Sequence, residues 1–434
     1  MEAATVNKRL AALTAAGTSV WLDQIRRSLI EGGELQRLVE EDSLHGVTSN
    51  PAIFEKAILG SDDYDDEIRE MSEKGMDAHD IYEAIAIKDV QLGCDVLRPV
   101  YDSTNGADGF VSLEVEPSLA HETEGTLGSA RDLWKRVDRP NVLIKIPGTE
   151  EGVAAIEAAI GEGINVNVTL LFSVESYETI AEAYIRGLEK RKAAGESLDI
   201  ASVASFFVSR VDSEVDKRLE SLGREDLKGI AAVANARAAY QRFKELFLGE
   251  RFAELREAGA ALQRPLWAST GVKDPRYPET KYVDELVGPH TVNTMPMATL
   301  NAAAEKTEIS GPTCDQDPSE DLLALEEAGI DMGDVTKTLL LEAIDKFIDP
   351  FDALLAGVEK TRQAVLSGRP PTIEAAIPDA LGAKISQRAK QAEDEDVARR
   401  LWRKDETLWG GPGPEIGNRL GWLTVADNML EAAP

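Results

Sequence analysis

Eight short apolar runs, separated by longer stretches of helical periodicity, constrain this chain more than any other feature of its sequence. They are SVWLDQI (19–25), GVTSN (46–50), GFVSLEV (109–115), NVLIKIP (141–147), INVNVTLLF (164–172), ASVASFFV (201–208), RPLWAST (264–270) and HTVNTMP (290–296). Their length and their content of Val, Ile, Phe and Thr read as strands. Between them, segments such as SYETIAEAYIRGLEKRKAAG (176–195) and SRVDSEVDKRLESLG (209–223) repeat apolar residues at three- and four-residue steps over charged faces, as amphipathic helices do. Strand and helix alternating eight times within residues 19–296 predict an α/β fold, a closed (β/α)8 TIM barrel. A doubly wound open sheet is the competitor.

The placing of polar residues favours the barrel. In the third run Ser112, Glu114 and Glu116 share one face and Val111, Leu113 and Val115 the other. In the fifth, Asn165, Asn167 and Thr169 oppose Val166, Val168 and Leu170. Side chains alternate across a strand, so several strands aim acids, amides and hydroxyls to one side, which predicts a polar pocket at their carboxyl ends. Residues 297–367 read as helical, with a long apolar stripe interrupted by Pro350 that packs over the barrel and supplies its last helices. From Arg369 the character changes: RPPT reads as a linker, a charged helical stretch follows, and GGPGP (410–414) is a turn-rich break. The expected organisation is a barrel with flanking helices over 1–368 and a linker and helical extension over 369–434.

Charge narrows the function classes. With 47 basic against 78 acidic residues the formal charge is −31, which repels nucleic-acid phosphates and anionic membranes. Any phosphorylated substrate needs a local cationic pocket inside that negative field. The acidity itself fits a saline cytoplasm or plain solubility equally. Cys94 and Cys314 are the two cysteines, far apart, so neither a disulfide framework nor a zinc site is expected and a reducing cytoplasm fits. The amino-terminal MEAATVNKRLAALTAAGTSV lacks a long apolar run and reads as a short amphipathic helix, which disfavours export and membrane insertion.

Lys145 stands between Ile144 and Ile146 on a buried strand, with Pro147-Gly148 marking that strand's end. An amine there either pairs with an inward carboxylate as a structural ion or serves as a nucleophile toward carbonyls, since desolvation and nearby cations can lower a lysine pKa by several units. Taken alone, the strand favours the structural reading. Asp23, Asn50, Glu114, Asn167 and Thr169 on other strands shift the balance, because together they supply a carboxylate to take a hydroxyl proton and a relay to expel water from a carbinolamine. No metal or cofactor is required by this set.

Five segments in order, GVTSNPAIF (46–54), VSLEVEP (111–117), IKIPGTEEG (144–152), NVNVTLLFS (165–173) and SFFVSRVD (205–212), strongly resemble the transaldolase family. The resemblance spans about residues 15–365, and the opening WLDQIRRSLIEGG and the closing DKFIDPFDALLAGV look like the longer bacterial subgroup. It implies transfer of a dihydroxyacetone unit from fructose 6-phosphate or sedoheptulose 7-phosphate, within the non-oxidative pentose phosphate pathway. On these motifs it implies that Lys145 forms the Schiff base and that Asp23 deprotonates the C4 hydroxyl. Glu114, with a water held by Thr169, shuttles protons; Asn50 and Asn167 bind the dihydroxyacetone hydroxyls; Ser205 lines the same pocket. Arg210, Ser269 and Lys273 are the candidate phosphate group. Shorter transaldolases carry an arginine two residues after the matching serine, where Gly271 stands here, so Lys273 enters by proximity alone. A Schiff-base aldolase that releases free dihydroxyacetone, and a non-catalytic barrel scaffold, are the competing functions.

Other features read blandly. The acidic run SDDYDDEIRE (61–70) is a solvated helix start, and His45, His79, His121 and His290 show no metal-ligand spacing. His45 has a minor claim on the pocket, and Trp267 reads as core. The segment ARRLWRKDETLWGGPGPEIGNRLGWL (398–423) resembles the junction by which a transaldolase is fused to a glucose-6-phosphate isomerase, with a free-standing enzyme bearing a helical tail as the alternative.

Overall fold

The structure, a computed structural model, describes residues 6–367 and, further on, the helix Val397–Trp402, the turn Glu406–Trp409 and single residues between 384 and 405. The chain divides into two compact units, Met1–Pro370 and Pro371–Pro434. The linker reading at 369–372 and the break at 410–414 lie outside the described residues.

Within the first unit eight parallel strands close on themselves. They are β1 (Thr18–Leu22), β2 (Leu44–Val47), β3 (Phe110–Glu114), β4 (Val142–Pro147), β5 (Val166–Leu171), β6 (Ser202–Phe207), β7 (Arg264–Ala268) and β8 (Thr291–Met295). Each pairs with its successor, and β1 pairs with β8 over its whole length, from Thr18 opposite Thr291 to Leu22 opposite Met295. That closure excludes the open sheet. Both faces of nearly every strand are buried, the apolar residues under the helices and the polar ones, such as Ser112, Asn167 and Thr169, inside the barrel. Asp23 lies one residue beyond β1, its N–H still bonded to the Met295 carbonyl at 2.8 Å.

The amino-terminal end of the barrel holds an aromatic and ionic cluster, bordered by a cavity that Phe110, Arg264 and His290 help to line. The Trp21 indole lies over Gly46, where any side chain would overlap its ring, and packs near Phe110 with centroids 6.4 Å apart. Beside it the buried Asp108 accepts from Ser19 and from Trp21 Nε1 (2.9 Å) and pairs with Arg264 at 3.3 Å. His45 faces this same cluster, 3.6 Å from Asp108, and so has no part in the cavity at the other end. Trp267 is core, its Nε1 donating to the Leu286 carbonyl.

Two polar residues grouped with the pocket by strand parity lie elsewhere. Asn165 binds the Pro140 and Val142 carbonyls and the Ala201 N–H at the start of β5. Glu116, past the end of β3, approaches His79 at 3.3 Å. Parity carries only as far as the strand does.

The segment after β8 ends in a single helix, Met332–Ser367, that continues through Pro350. Its buried residues, including Val335, Leu339, Ala343, Phe347, Phe351, Leu354 and Val358, recur at three- and four-residue steps and form one stripe. Pro350 removes the N–H that would meet the Lys346 carbonyl. Among the described residues no helix is long and apolar enough to cross a membrane.

Candidate active site

A cavity of about 330 Å³ opens at the carboxyl ends of the strands, where a barrel collects its variable polar groups. Asp23, Asn50, Lys145, Thr169, Ser205, Arg210, Ser269 and Lys273 all line it. Strand β4 places Lys145: its neighbours Ile144 and Ile146 turn outward into the apolar layer beneath the helices, so the lysine between them points inward. Its Nζ donates to the Ser49 carbonyl at 3.0 Å and to Glu114 at 3.4 Å. The pairing follows from register, because Glu114 on β3 stands opposite Lys145 and Lys145 opposite Asn167 on β5.

Burial decides the protonation of the acids. It pushes the Glu114 carboxyl up to about 7, and the adjacent Lys145 only partly reverses the shift. Asp23 is also raised by burial, opposed by Lys145, by a 2.6 Å hydrogen bond from the Thr48 hydroxyl, and by Arg210 and Lys273. Two carboxyls in one site therefore sit in different surroundings, one against a lysine and the other facing three cations.

Thr169 is distinctive in a different way. Its Oγ1 is buried and has no hydrogen-bond partner, a state that costs free energy unless a water or ligand fills it. Directly after it Leu170 takes a left-handed φ of 63°, and the β5–β6 pairing slips between Val168 and Leu171. A branched residue held there costs about 1–3 kcal/mol, and such strain gathers at functional sites. Asn50 caps the helix Pro51–Leu59, its side-chain oxygen accepting from the Ile53 N–H at 3.0 Å.

Asn167 does not line the cavity. Its amide donates to Ser112 Oγ at 2.9 Å and accepts from Ser205 Oγ at 2.7 Å, so both of its polar ends are used inside the barrel. Position on the inward face was readable from β5, but depth along the barrel was not. Glu114 lies to the side, reaching the cavity through Lys145 and bordering a separate small cavity with His79, Tyr82 and Phe351.

The rim is cationic. Arg210, second residue of the helix Ser209–Leu222, lies over the Phe207 ring at 5.4 Å, and its Nη1 is buried without a partner. Burial lowers the Arg210 and Lys273 pKa values, and for Lys273 the repulsion of Arg210 and Lys56 adds to it. Ser269, just past β7 with φ 55°, shares a 3.0 Å hydroxyl contact with Ser209. Counting the lining side chains, Lys56, Lys145, Arg210, Lys273 and Lys346 face one carboxylate, Asp23, in a chain of net charge −31.

Lys56, Lys346 and Phe347 are lining residues that the sequence did not single out. Lys56 lies two residues beyond the GVTSNPAIF segment, on the helix that Asn50 caps. Lys346 and Phe347 come from the long carboxyl-terminal helix, and nothing local states that this helix crosses the barrel mouth. Among the described residues no cluster of three or more His, Cys, Asp or Glu side chains is arranged to hold a metal ion. The acidic run at 61–70 is instead a helix start whose Asp63 and Glu67 pair with Arg26, Arg27 and Lys88.

Fold and cavity together define a (β/α)8 barrel enzyme with a buried lysine and carboxylate at its strand ends. The sequence profile of the transaldolase/fructose-6-phosphate aldolase family matches residues 20–358. The chain is 49% identical over 361 residues to a transaldolase of Saccharopolyspora erythraea, covering 82% of this chain and 98% of that protein. It is 50% identical to transaldolases of Parafrankia sp. and of Thermobifida fusca, covering 81% and 79% of this chain and 97% and 95% of those proteins. The chain belongs to the transaldolase/fructose-6-phosphate aldolase family, and it is an enzyme of the transaldolase class, a transferase.

Proposed function

We propose that this enzyme passes a dihydroxyacetone unit from fructose 6-phosphate or sedoheptulose 7-phosphate to an aldose phosphate, through a Schiff base on Lys145. The observation that carries the reading is the Lys145 amine, held 3.4 Å from Glu114 in a cavity that also contains the unpartnered Thr169 hydroxyl. The amine adds to the C2 carbonyl. Glu114, through a water on Thr169, protonates the departing C2 hydroxyl, and the iminium forms as that water leaves. Asp23 takes the C4 hydroxyl proton, the C3–C4 bond breaks, and its electrons pass to C3 as an enamine while the first aldose departs. An acceptor aldehyde is attacked by C3, its oxygen recovers the proton from Asp23, and hydrolysis of the new iminium frees Lys145.

Asn50 and Ser205 bind the three-carbon unit, and Asn167 acts one step removed, by fixing Ser205. Arg210, Ser269 and Lys273 receive the phosphate, which the partnerless Arg210 Nη1 and the nearby Lys273 charge favour. Borohydride reduction in the presence of fructose 6-phosphate is the test. The reading requires a stable adduct on Lys145 and none in Lys145→Ala; equal labelling of the two sinks it. Free dihydroxyacetone as the main product with erythrose 4-phosphate present would make the enzyme an aldolase instead.

Residues 369–434 we read as an extension separable from a catalytic unit of residues 1–368, and residues 398–423 within it as the junction toward a fused glucose-6-phosphate isomerase. Truncation after 368 should leave activity intact, and a native polypeptide of about 47 kDa would dismiss the fusion. A reducing cytoplasm is consistent with the free thiols Cys94 and Cys314, and cell fractionation checks it.

A further inference from the structure

We infer that Phe347 keeps water from the enamine on Lys145 and thereby sets the balance between passing on the three-carbon unit and releasing it. The inference rests on the Schiff-base reading of Lys145. The Phe347 ring centroid lies 5.4 Å from the Lys145 Nζ, within cation–π range, and the residue is only 7% exposed. It does not belong to the barrel. It is carried by the helix Met332–Ser367, which lies over the cavity mouth and contributes Lys346 and Phe347 to the lining.

The same helix is engaged on both sides of that ring. Toward its amino terminus Glu342 is close enough to Arg210 to favour the arginine's charge. One turn beyond Phe347, Phe351 meets the Tyr82 ring edge-on at 5.4 Å and His79 at 6.4 Å, beside the small cavity that borders Glu114. These contacts of Glu342 and Phe351 flank Phe347 and hold its stretch of helix over Lys145. The cavity that holds the amine also carries Asp23, Thr169 and Ser205, polar groups that attract water. Phe347 is the apolar cover over that group.

The competing loss is defined chemically. After the first aldose leaves, C3 of the enamine takes a proton, a water oxygen adds to C2, the C2–N bond breaks and the amine returns to Lys145 as dihydroxyacetone departs. Water is the sole co-reactant. A ring over the amine keeps water from delivering the proton to C3, the step that commits the unit to release, and leaves open both the attack of C3 on an aldehyde and the later hydrolysis at C2 by the water on Thr169, so it suppresses one outcome selectively.

The experiment compares wild type, Phe347→Ala and Phe351→Ala in the full chain. Two rates are measured: sedoheptulose 7-phosphate formed from fructose 6-phosphate with erythrose 4-phosphate, and dihydroxyacetone freed from fructose 6-phosphate alone. Phe347→Ala should raise the ratio of release to transfer about tenfold or more while Lys145 remains trappable by borohydride. Phe351→Ala, which removes packing from the same helix away from the amine, should leave the ratio near wild type. An unchanged ratio in Phe347→Ala, with both rates falling together, would reduce Phe347 to core packing and overturn the inference. So would an equal rise in Phe351→Ala, because helix docking rather than the ring would then be responsible. Absence of a Lys145 adduct in wild type is a separate failure, that of the Schiff-base reading.

Discussion

Replacing Glu114 with Gln keeps the shape of the side chain and removes its titration. The carboxyl lies between β3 and Lys145 on a side chain 8% exposed, and burial raises its pKa to about 7 from an ordinary 4.5. At pH 7 such a group is half protonated, whereas an unshifted one would be about 0.3% protonated, so the shift enlarges the acid form roughly 150-fold. A positioned acid–base group typically contributes about 10²–10⁴ in rate. Glu114→Gln should therefore lower kcat by about 10²–10³, with KM changed less than about threefold, because proton transfer and not binding is lost. The wild-type profile of kcat/KM against pH, which reports the free enzyme, should show a limb near 7 that the variant lacks. A coupled assay of transfer between about pH 5.5 and 8.5, with far-UV circular dichroism to verify folding, measures both. Should the variant keep kcat within a factor of two, or retain the limb, the assignment of Glu114 as the proton relay is refuted.

Two further predictions concern opposite ends of the barrel. Arg210→Ala removes a buried cation whose Nη1 has no protein partner. The loss of a charge-assisted bond, about 1.5–3 kcal/mol, should raise KM for phosphorylated donors roughly 10- to 100-fold and leave unphosphorylated donors little affected; a uniform loss across both would place Arg210 outside the phosphate site. Asp108→Ala breaks the buried pair with Arg264 at the amino-terminal end of the barrel and should cost about 3–5 kcal/mol in urea denaturation, with kcat unchanged while the fold persists. Burial alone would raise the Asp108 carboxyl, but Arg264, His45 and Ser19 hold it well below 3.8. Its contribution is thus present above the unfolded value of 3.8 and lost as pH falls toward the depressed folded value, so the difference in stability between wild type and variant should stay flat near neutrality and shrink below about pH 3.8. A difference that instead shrinks between about pH 6 and 8 would assign the effect to another group.

Much of the molecule was legible before folding. The alternation of strand and helix named the barrel because period 2 and period 3.6 are local properties of the chain, set by neighbours within a few residues. The inward direction of Glu114, Lys145 and Thr169 followed from the same alternation, and their order along three strands agreed with the family segments. Where a residue lay beyond its strand, as Glu116 does, or at the strand's start, as Asn165 does, the alternation no longer indicated the pocket.

The sequence by itself thus determined the architecture and which lysine and acids face inward near the strand ends. Tertiary structure decided the depth and the cover. Register and closure put Asn167 beneath the cavity, between Ser112 and the lining residue Ser205, and brought Asp108 against an arginine 156 residues away. Packing laid Met332–Ser367 across the mouth, bringing Phe347 over Lys145 and Lys346 to the cationic rim. The apolar stripe of that helix says that it must be buried against something; only the shape of the completed barrel says against what.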